Sequence, residues 1–152
     1  TLHVACLKIH SVMYLYTMIT SKLQIRVRYA ETDQMGFVYY GTYAQYYEMG
    51  RVELIRQLGF SYKDIESKGI WLPVRQFQIE YINPAHYDDE LTLITTLNEM
   101  PKGVRLPFNY TLYNAQNQCL NRGFVELVCI SSNTKKPCKL PDWFLQAVAL
   151  YF

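Results

Sequence analysis

From Lys22 the segment KLQIRVRYAET sets Leu23, Ile25, Val27 and Tyr29 against polar neighbours. That period of two predicts a strand with one face buried. After the turn DQMG the period changes: Tyr43, Tyr46, Tyr47, Gly50, Leu54 and Leu58 recur at helical spacing, while Gln45, Glu53 and Arg56 fall on other faces. The pattern predicts a helix over 43–58, with Thr42 and Gln45 as a capping box at its start and Gly59 as its stop. Ala44, Met49, Val52 and Ile55 add apolar residues beside the tyrosines, so more than one side needs cover, from a wrapping sheet or a second subunit. Gly50 costs about 1 kcal/mol relative to alanine in a helix interior, which predicts close approach to another backbone.

A shorter amphipathic helix, a lid or connector, is expected in SYKDIESKG, with Ser61 as its cap and Gly69 as its end. Four long strands follow, LPVRQFQIEYI, ELTLITTLNE, VRLPFNYTLYN and CLNRGFVELVCIS, separated by NPAHYDD, MPKG and NAQNQ. In NPAHYDD, His86 reads as a loop residue and Asp88 and Asp89 as the start of the next strand. Pro107 cannot donate to a ladder and predicts a bulge or an edge. PDWFLQAVALYF predicts a terminal helix after Pro141 and Asp142. A strand, a long helix and four consecutive strands form an α+β pattern in which one sheet buries one helix.

Composition narrows the field. The 152 residues suit one domain, and with half of them hydrophobic and 18% charged the chain is globular. A net charge of +2, evenly spread, argues against a nucleic-acid face or a membrane-seeking helix. Residues 2–19 are apolar but interrupted by His3, Lys8, His10, Ser11 and Thr17, a poor membrane span and a poor signal peptide. The expected organisation is a non-native extension over 1–21, with Met18 as the more natural first residue, and a single domain over 22–152. Cys6, Cys119, Cys129 and Cys138 contain no C-x-x-C pair and read as reduced thiols; His3, His10 and His86 are scattered, so no metal site is expected. Neither a G-x-S-x-G elbow nor a glycine-rich phosphate loop nor a dinucleotide fingerprint is present.

Residues 28–56, RYAETDQMGFVYYGTYAQYYEMGRVELIR, resemble the signature of the hotdog-fold acyl-CoA thioesterases of the 4-hydroxybenzoyl-CoA thioesterase family. The similarity continues more weakly through LPVRQFQIEYINPAHYDDEL and into the last two strands, roughly Lys22 to Pro141. The resemblance implies a hotdog fold, in which a five-stranded antiparallel sheet wraps one long central helix. It implies a homodimer, or a tetramer of paired dimers, with each active site at a subunit interface, and a cytoplasmic acyl-CoA hydrolase with no cofactor.

A thioester already has a good leaving group, because a thiol of pKa near ~8.5 departs far more readily than an alcohol. What remains is to bring in oxygen and to hold the charge that develops on the carbonyl oxygen. The resemblance implies Asp33 for the first task, as nucleophile or as general base, and the backbone amide of Tyr40 for the second, with a helix N-terminus behind it. Read alone, an Asp-x-x-Gly after a strand is a turn in which the aspartate bonds a nearby amide. Many relatives carry histidine where this chain has Tyr40; the departure takes away a possible proton carrier for an aspartate–histidine relay, leaves the role of the Tyr40 side chain open, and does not touch a backbone role. Tyr39, Gly41 and Thr42 are expected at the acyl site. Glu48 is either a second carboxylate there or the partner of Arg51, three residues on. Lys102 and Arg105 match positions where relatives bind the phosphates of coenzyme A, and a solvated turn is the plainer reading. Lys135 and Lys136 are the fallback for that role. The bulk of Phe37, Tyr39 and Tyr40 points to a short or aromatic acyl group. The rival function is a non-catalytic acyl-thioester or acyl-carrier-protein binding module on the same fold.

Overall fold

The alternation that marks the first strand begins earlier than Lys22. In a computed structural model, which describes residues 18–152, β1 spans Ile19–Arg26 and already places Ile19 and Ser21 in the core. Most of the expected extension, with Cys6, His3 and His10, lies outside the described residues. The alternation also ends sooner: Val27 is buried, but Tyr29 opens a short 3-10 turn, Tyr29–Glu31, and stands 78% exposed.

The helix α1 runs over Thr42–Gln57 and α2 over Tyr62–Ser67. Gly59, at φ +93, ends α1 as expected, and Ser61 caps α2 through a reciprocal pair of bonds with Asp64. The expected strand LPVRQFQIEYI divides into β2 (Ile70–Trp71) and β3 (Val74–Tyr81) around Leu72 and Pro73. Then come β4 (Glu90–Leu97), β5 (Arg105–Tyr113), β6 (Cys119–Val128), a two-residue β7 (Ile130–Ser131) and the terminal helix α3 (Asp142–Ala149). Asp88 does not start β4: at φ +68 it sits in the left-handed conformation that short polar side chains tolerate in turns, and the ladder begins at Glu90.

The main sheet has five strands, all antiparallel, in the order β1-β4-β5-β6-β3, and β2 pairs separately with β7. β5 is therefore central, yet Pro107 fits. β4 ends at Leu97 and its pairing with β5 reaches only Asn109, so at Pro107 the strand has a neighbour on the β6 side alone and is a local edge.

The inward faces of the sheet close over α1. Gly50 sits where a Cβ would run into Leu93 and Thr95 of β4, so its close approach is to side chains of the sheet. Tyr47 is fully buried, stacked on Tyr110 at 4.2 Å, and its hydroxyl donates to Asn121 Oδ1 at 2.6 Å. Gly123 of β6 makes room for that ring, since a Cβ there would overlap it. Ala44 and Met49, on another side of α1, are exposed in the single chain. At the sheet's outer edge, β3 pairs with β6 alone among the described residues and exposes Val74, Phe77 and Tyr81. Among the described residues no helix is long and apolar enough to cross a membrane.

Candidate active site

The loop between β1 and α1 folds back on itself. Thr32 and Val38 form an antiparallel bridge, the Asp33 amide donates to the Phe37 carbonyl at 2.8 Å, and the Gly36 amide donates to the Asp33 carbonyl at 3.0 Å. Gly36, at φ +80, supplies the left-handed turn residue. Asp33 Oδ1 accepts from the amides of Met35 (2.9 Å) and Phe37 (3.3 Å), whereas Oδ2 accepts no hydrogen bond from the described residues. The turn therefore occupies one oxygen of the carboxylate and leaves the other open. The Val38 amide donates to the Ala85 carbonyl at 2.8 Å, tying the loop to the segment that precedes β4.

The start of α1 differs from the expected capping box. The N-cap is Gly41, which has no side chain to accept a bond, and Thr42 is the first helical residue, buried. The Thr42 amide is already bonded to the Tyr39 carbonyl at 2.9 Å. The amides of Tyr40 and Gly41 donate to nothing among the described residues, so the helix mouth keeps unsatisfied donors.

Asp33 and Tyr40 share a cleft of about 290 Å³ with Phe37, Tyr43, Tyr81 and Asn83 among its walls. The Tyr81 hydroxyl, from the end of β3, donates to the Tyr40 carbonyl at 3.1 Å and so holds the peptide that carries the open Gly41 amide. Burial, with the charges of Asp33 and Asp89 nearby, pushes the Tyr43 phenol up to about 12, which keeps it neutral at physiological pH. Reading along the chain misses Tyr81 and Asn83, because they look like the ordinary end of a strand. Only the pairing of β3 with β6 and the fold of the Asp33 loop bring them to α1.

A second carboxylate lies under the loop. Glu31 is nearly buried and Oε2 accepts from the Arg28 amide (2.8 Å) and the Tyr46 hydroxyl (2.8 Å), while Oε1 accepts from Arg28 Nε (2.9 Å) and Nη2 (2.6 Å). Burial works to raise this carboxyl, but the bonds from Arg28 and Tyr46 outweigh it and hold the group below its ordinary range. Burial and Glu31 push the Tyr46 phenol far up.

The remaining expected residues are dispersed. Tyr39 is half-exposed and packs on the Tyr40 ring at 4.6 Å. Glu48 is exposed, 3.7 Å from Arg51, and lies outside the walls of the cleft. Arg105 contacts Glu126 at 3.7 Å at the end of the sheet where β5 meets Val128, whereas Tyr81 and the cleft lie at the end where β3 meets Asn121. Lys102 is exposed in the loop before β5. Within one chain the structure therefore does not bring Lys102 or Arg105 to Asp33. Among the described residues no cluster of three or more His, Cys, Asp or Glu could hold a metal ion, and Cys119, Cys129 and Cys138 are free thiols.

The model of the thioesterase-like superfamily matches residues 27–148. A candidate acyl-CoA thioesterase of Bacillus subtilis (strain 168), YneP, is 39% identical over 127 residues, 81% of this chain and 91% of that protein. The acyl-CoA thioester hydrolase YbgC of Escherichia coli O157:H7 is 36% identical over 117 residues, 77% of this chain and 87% of its own length. Among solved structures, a DHNA-CoA thioesterase from Staphylococcus aureus superposes with a TM-score of 0.80 at 34% identity, over 86% of this chain and 89% of that one. Slr0204, a 1,4-dihydroxy-2-naphthoyl-CoA thioesterase from Synechocystis, does so with a TM-score of 0.77 at 25% identity, over 86% and 96%. The sheet wrapped on α1 is the hotdog fold of these neighbours.

Proposed function

Starting from the fact that the chain belongs to the thioesterase-like superfamily and is an acyl-CoA thioesterase, we propose that Asp33 and the helix mouth at Tyr40 and Gly41 perform the hydrolysis. The observation that supports this reading is the coincidence, in one cleft, of Asp33, with a carboxylate oxygen that the described residues leave unbonded, and Tyr40, whose backbone amide is open like that of Gly41 beside it. The thioester carbonyl oxygen accepts from the helix-mouth amides, with the dipole of α1 favouring the negative charge that develops there. Asp33 either attacks the carbonyl carbon, expelling the coenzyme A thiolate and leaving a mixed anhydride for water to cleave, or takes a proton from the water that attacks. Both routes give a free carboxylic acid and coenzyme A. The phenol of Tyr40 points to no relay, and its backbone carries the role.

The acyl group we propose is aromatic, because Phe37, Tyr40, Tyr43 and Tyr81 wall the cleft. The substrate in the Synechocystis relative's name is an aromatic acyl thioester too.

We further propose that two chains pair through their β3 edges, as a homodimer. An antiparallel pairing about a two-fold axis covers Val74, Phe77 and Tyr81 and removes an exposed sheet edge. It also sets the start of one β3 beside the end of the other, so that Lys102 and Arg105 of the partner subunit lie at the sheet end that carries the cleft. That arrangement accounts for phosphate-binding residues that sit far from Asp33 within their own chain.

The test is hydrolysis of a panel of acyl-CoAs by the wild-type protein and Asp33→Ala, with released thiol as the readout. Turnover by the wild type and its loss in the variant are expected, strongest for aromatic acyl groups. Equal turnover by the variant removes Asp33 from the chemistry, and binding without turnover on every substrate points to the acyl-thioester binding module instead.

A further inference from the structure

We propose that Glu31, through Tyr46, is the positioning residue that fixes the Asp33 loop against the mouth of α1. The inference rests on the assignment of Asp33 and the helix-mouth amides to the reaction. Glu31 is joined to three parts of the site at once. Its side chain holds Arg28, where the loop leaves the sheet, by three hydrogen bonds of 2.6 to 2.9 Å. The same carboxylate accepts the hydroxyl of Tyr46, a fully buried residue one turn into α1, at 2.8 Å. Its backbone carbonyl accepts the Tyr39 amide at 2.8 Å, immediately before the open amides of Tyr40 and Gly41. Asp33 is two residues beyond Glu31, inside the span that these contacts close.

The carboxylate is not a second reacting group. Each oxygen already accepts two hydrogen bonds, and the hollow it borders, of about 300 Å³, is lined by Gln24, Ile25, Arg28, Tyr46 and Met49, none of which lines the cleft of Asp33. It acts instead by distance. The carboxylate and the open amides lie at different points of the segment that leads into α1, and the spacing between them decides whether both meet the same carbonyl. Displacing such a pair by an ångström costs on the order of 10²-fold in rate without removing either group. The Tyr46–Glu31 bond, braced by Arg28, is a direct side-chain link between that segment and the body of α1.

The test compares the full-length wild type with Glu31→Gln, Tyr46→Phe, the double variant and Asp33→Ala, by steady-state hydrolysis of benzoyl-CoA or of the best substrate in the panel. Thermal melting and amide hydrogen exchange of the peptide over 33–41 are measured on the same samples. The expected result is a fall in kcat of about tenfold or more in each single variant, with KM little changed, and a double variant no worse than the poorer single. Exchange over 33–41 rises while the strands keep their protection. Wild-type kcat in a folded Glu31→Gln, a loss confined to KM, or unchanged exchange over 33–41 overturns the proposal. If Glu31→Gln does not fold, Tyr46→Phe, which keeps the ring and removes only the hydroxyl, decides by the same criteria. An inactive Asp33→Ala beside a fully active Glu31→Gln rejects the positioning role alone. An inactive wild type, or an active Asp33→Ala, rejects the underlying assignment and this inference with it.

Discussion

At the mouth of α1, the amides of Tyr40 and Gly41 and one oxygen of Asp33 have no partner among the described residues, and Phe37 and Tyr40 are exposed. Less than two turns further in, Tyr47 is fully buried, stacked on Tyr110, bonded to Asn121 and seated on Gly123. The same helix thus carries one region whose polar capacity is left open and another where shape and hydrogen bonding are used up. Open donors are tolerable at the mouth because water or a ligand carbonyl can bond them, whereas the same groups beside Tyr47 would carry a desolvation penalty of about 1–3 kcal/mol each. Substitutions in the two regions should therefore separate stability from activity.

The largest effect on stability is expected for Gly123→Ala. A Cβ there overlaps the Tyr47 ring, which is stacked on Tyr110 and bonded to Asn121, so it cannot move cheaply. Overpacking of this kind costs about 1–3 kcal/mol, to be read from chemical denaturation. A variant as stable as the wild type breaks the contrast, since it means the seat of Tyr47 yields.

A smaller effect, of the opposite kind, is expected for Tyr81→Phe. The ring stays, but the hydrogen bond to the Tyr40 carbonyl is lost. That is worth about 1 kcal/mol, or roughly fivefold in kcat/KM, with an unchanged melting temperature because the residue is half-exposed. A drop in stability without a drop in activity assigns Tyr81 to packing.

The smallest is a pH effect at Glu31. Its folded carboxyl lies below the ordinary value of 4.5, so the unfolded chain binds the proton more readily. The stability this group contributes is present above about pH 4.5 and is lost as the pH falls through the folded value. Denaturation measured from pH 6 downward should show a shallower acid limb in Glu31→Gln than in the wild type, and parallel limbs contradict the assignment.

The sheet was legible in the sequence because most of its strands bury one face: β4 and β5 alternate buried and half-buried positions with hardly a break. β3 is different. Its residues are exposed or half-buried on both faces of the single chain, so no alternation of buried and exposed positions marks it, although Phe77 and Tyr81 still reach the tyrosines of α1. Local chemistry misled in three places. Threonine is a common cap, but Gly41 occupies the N-cap; Tyr29 continues the apolar period, but the chain turns before it; and Asp88 looks like the edge of a strand, but adopts a turn conformation. For the candidate site, resemblance pointed to Asp33 and Tyr40, which share a cleft. The walls supplied by Tyr81 and Asn83, and the four bonds that meet on Glu31, depend on contacts between segments that no local pattern records.

The most direct measurement concerns Asp33, whose two oxygens have different surroundings. Asp33→Asn can keep an acceptor for the amides of Met35 and Phe37 while removing the charge and the basic oxygen. Steady-state hydrolysis of the best acyl-CoA and thermal melting, on one preparation, should show kcat lower by about 10²-fold or more with the melting temperature unchanged. Wild-type kcat at an unchanged melting temperature would make Asp33 a turn residue and nothing more, and would contradict the account.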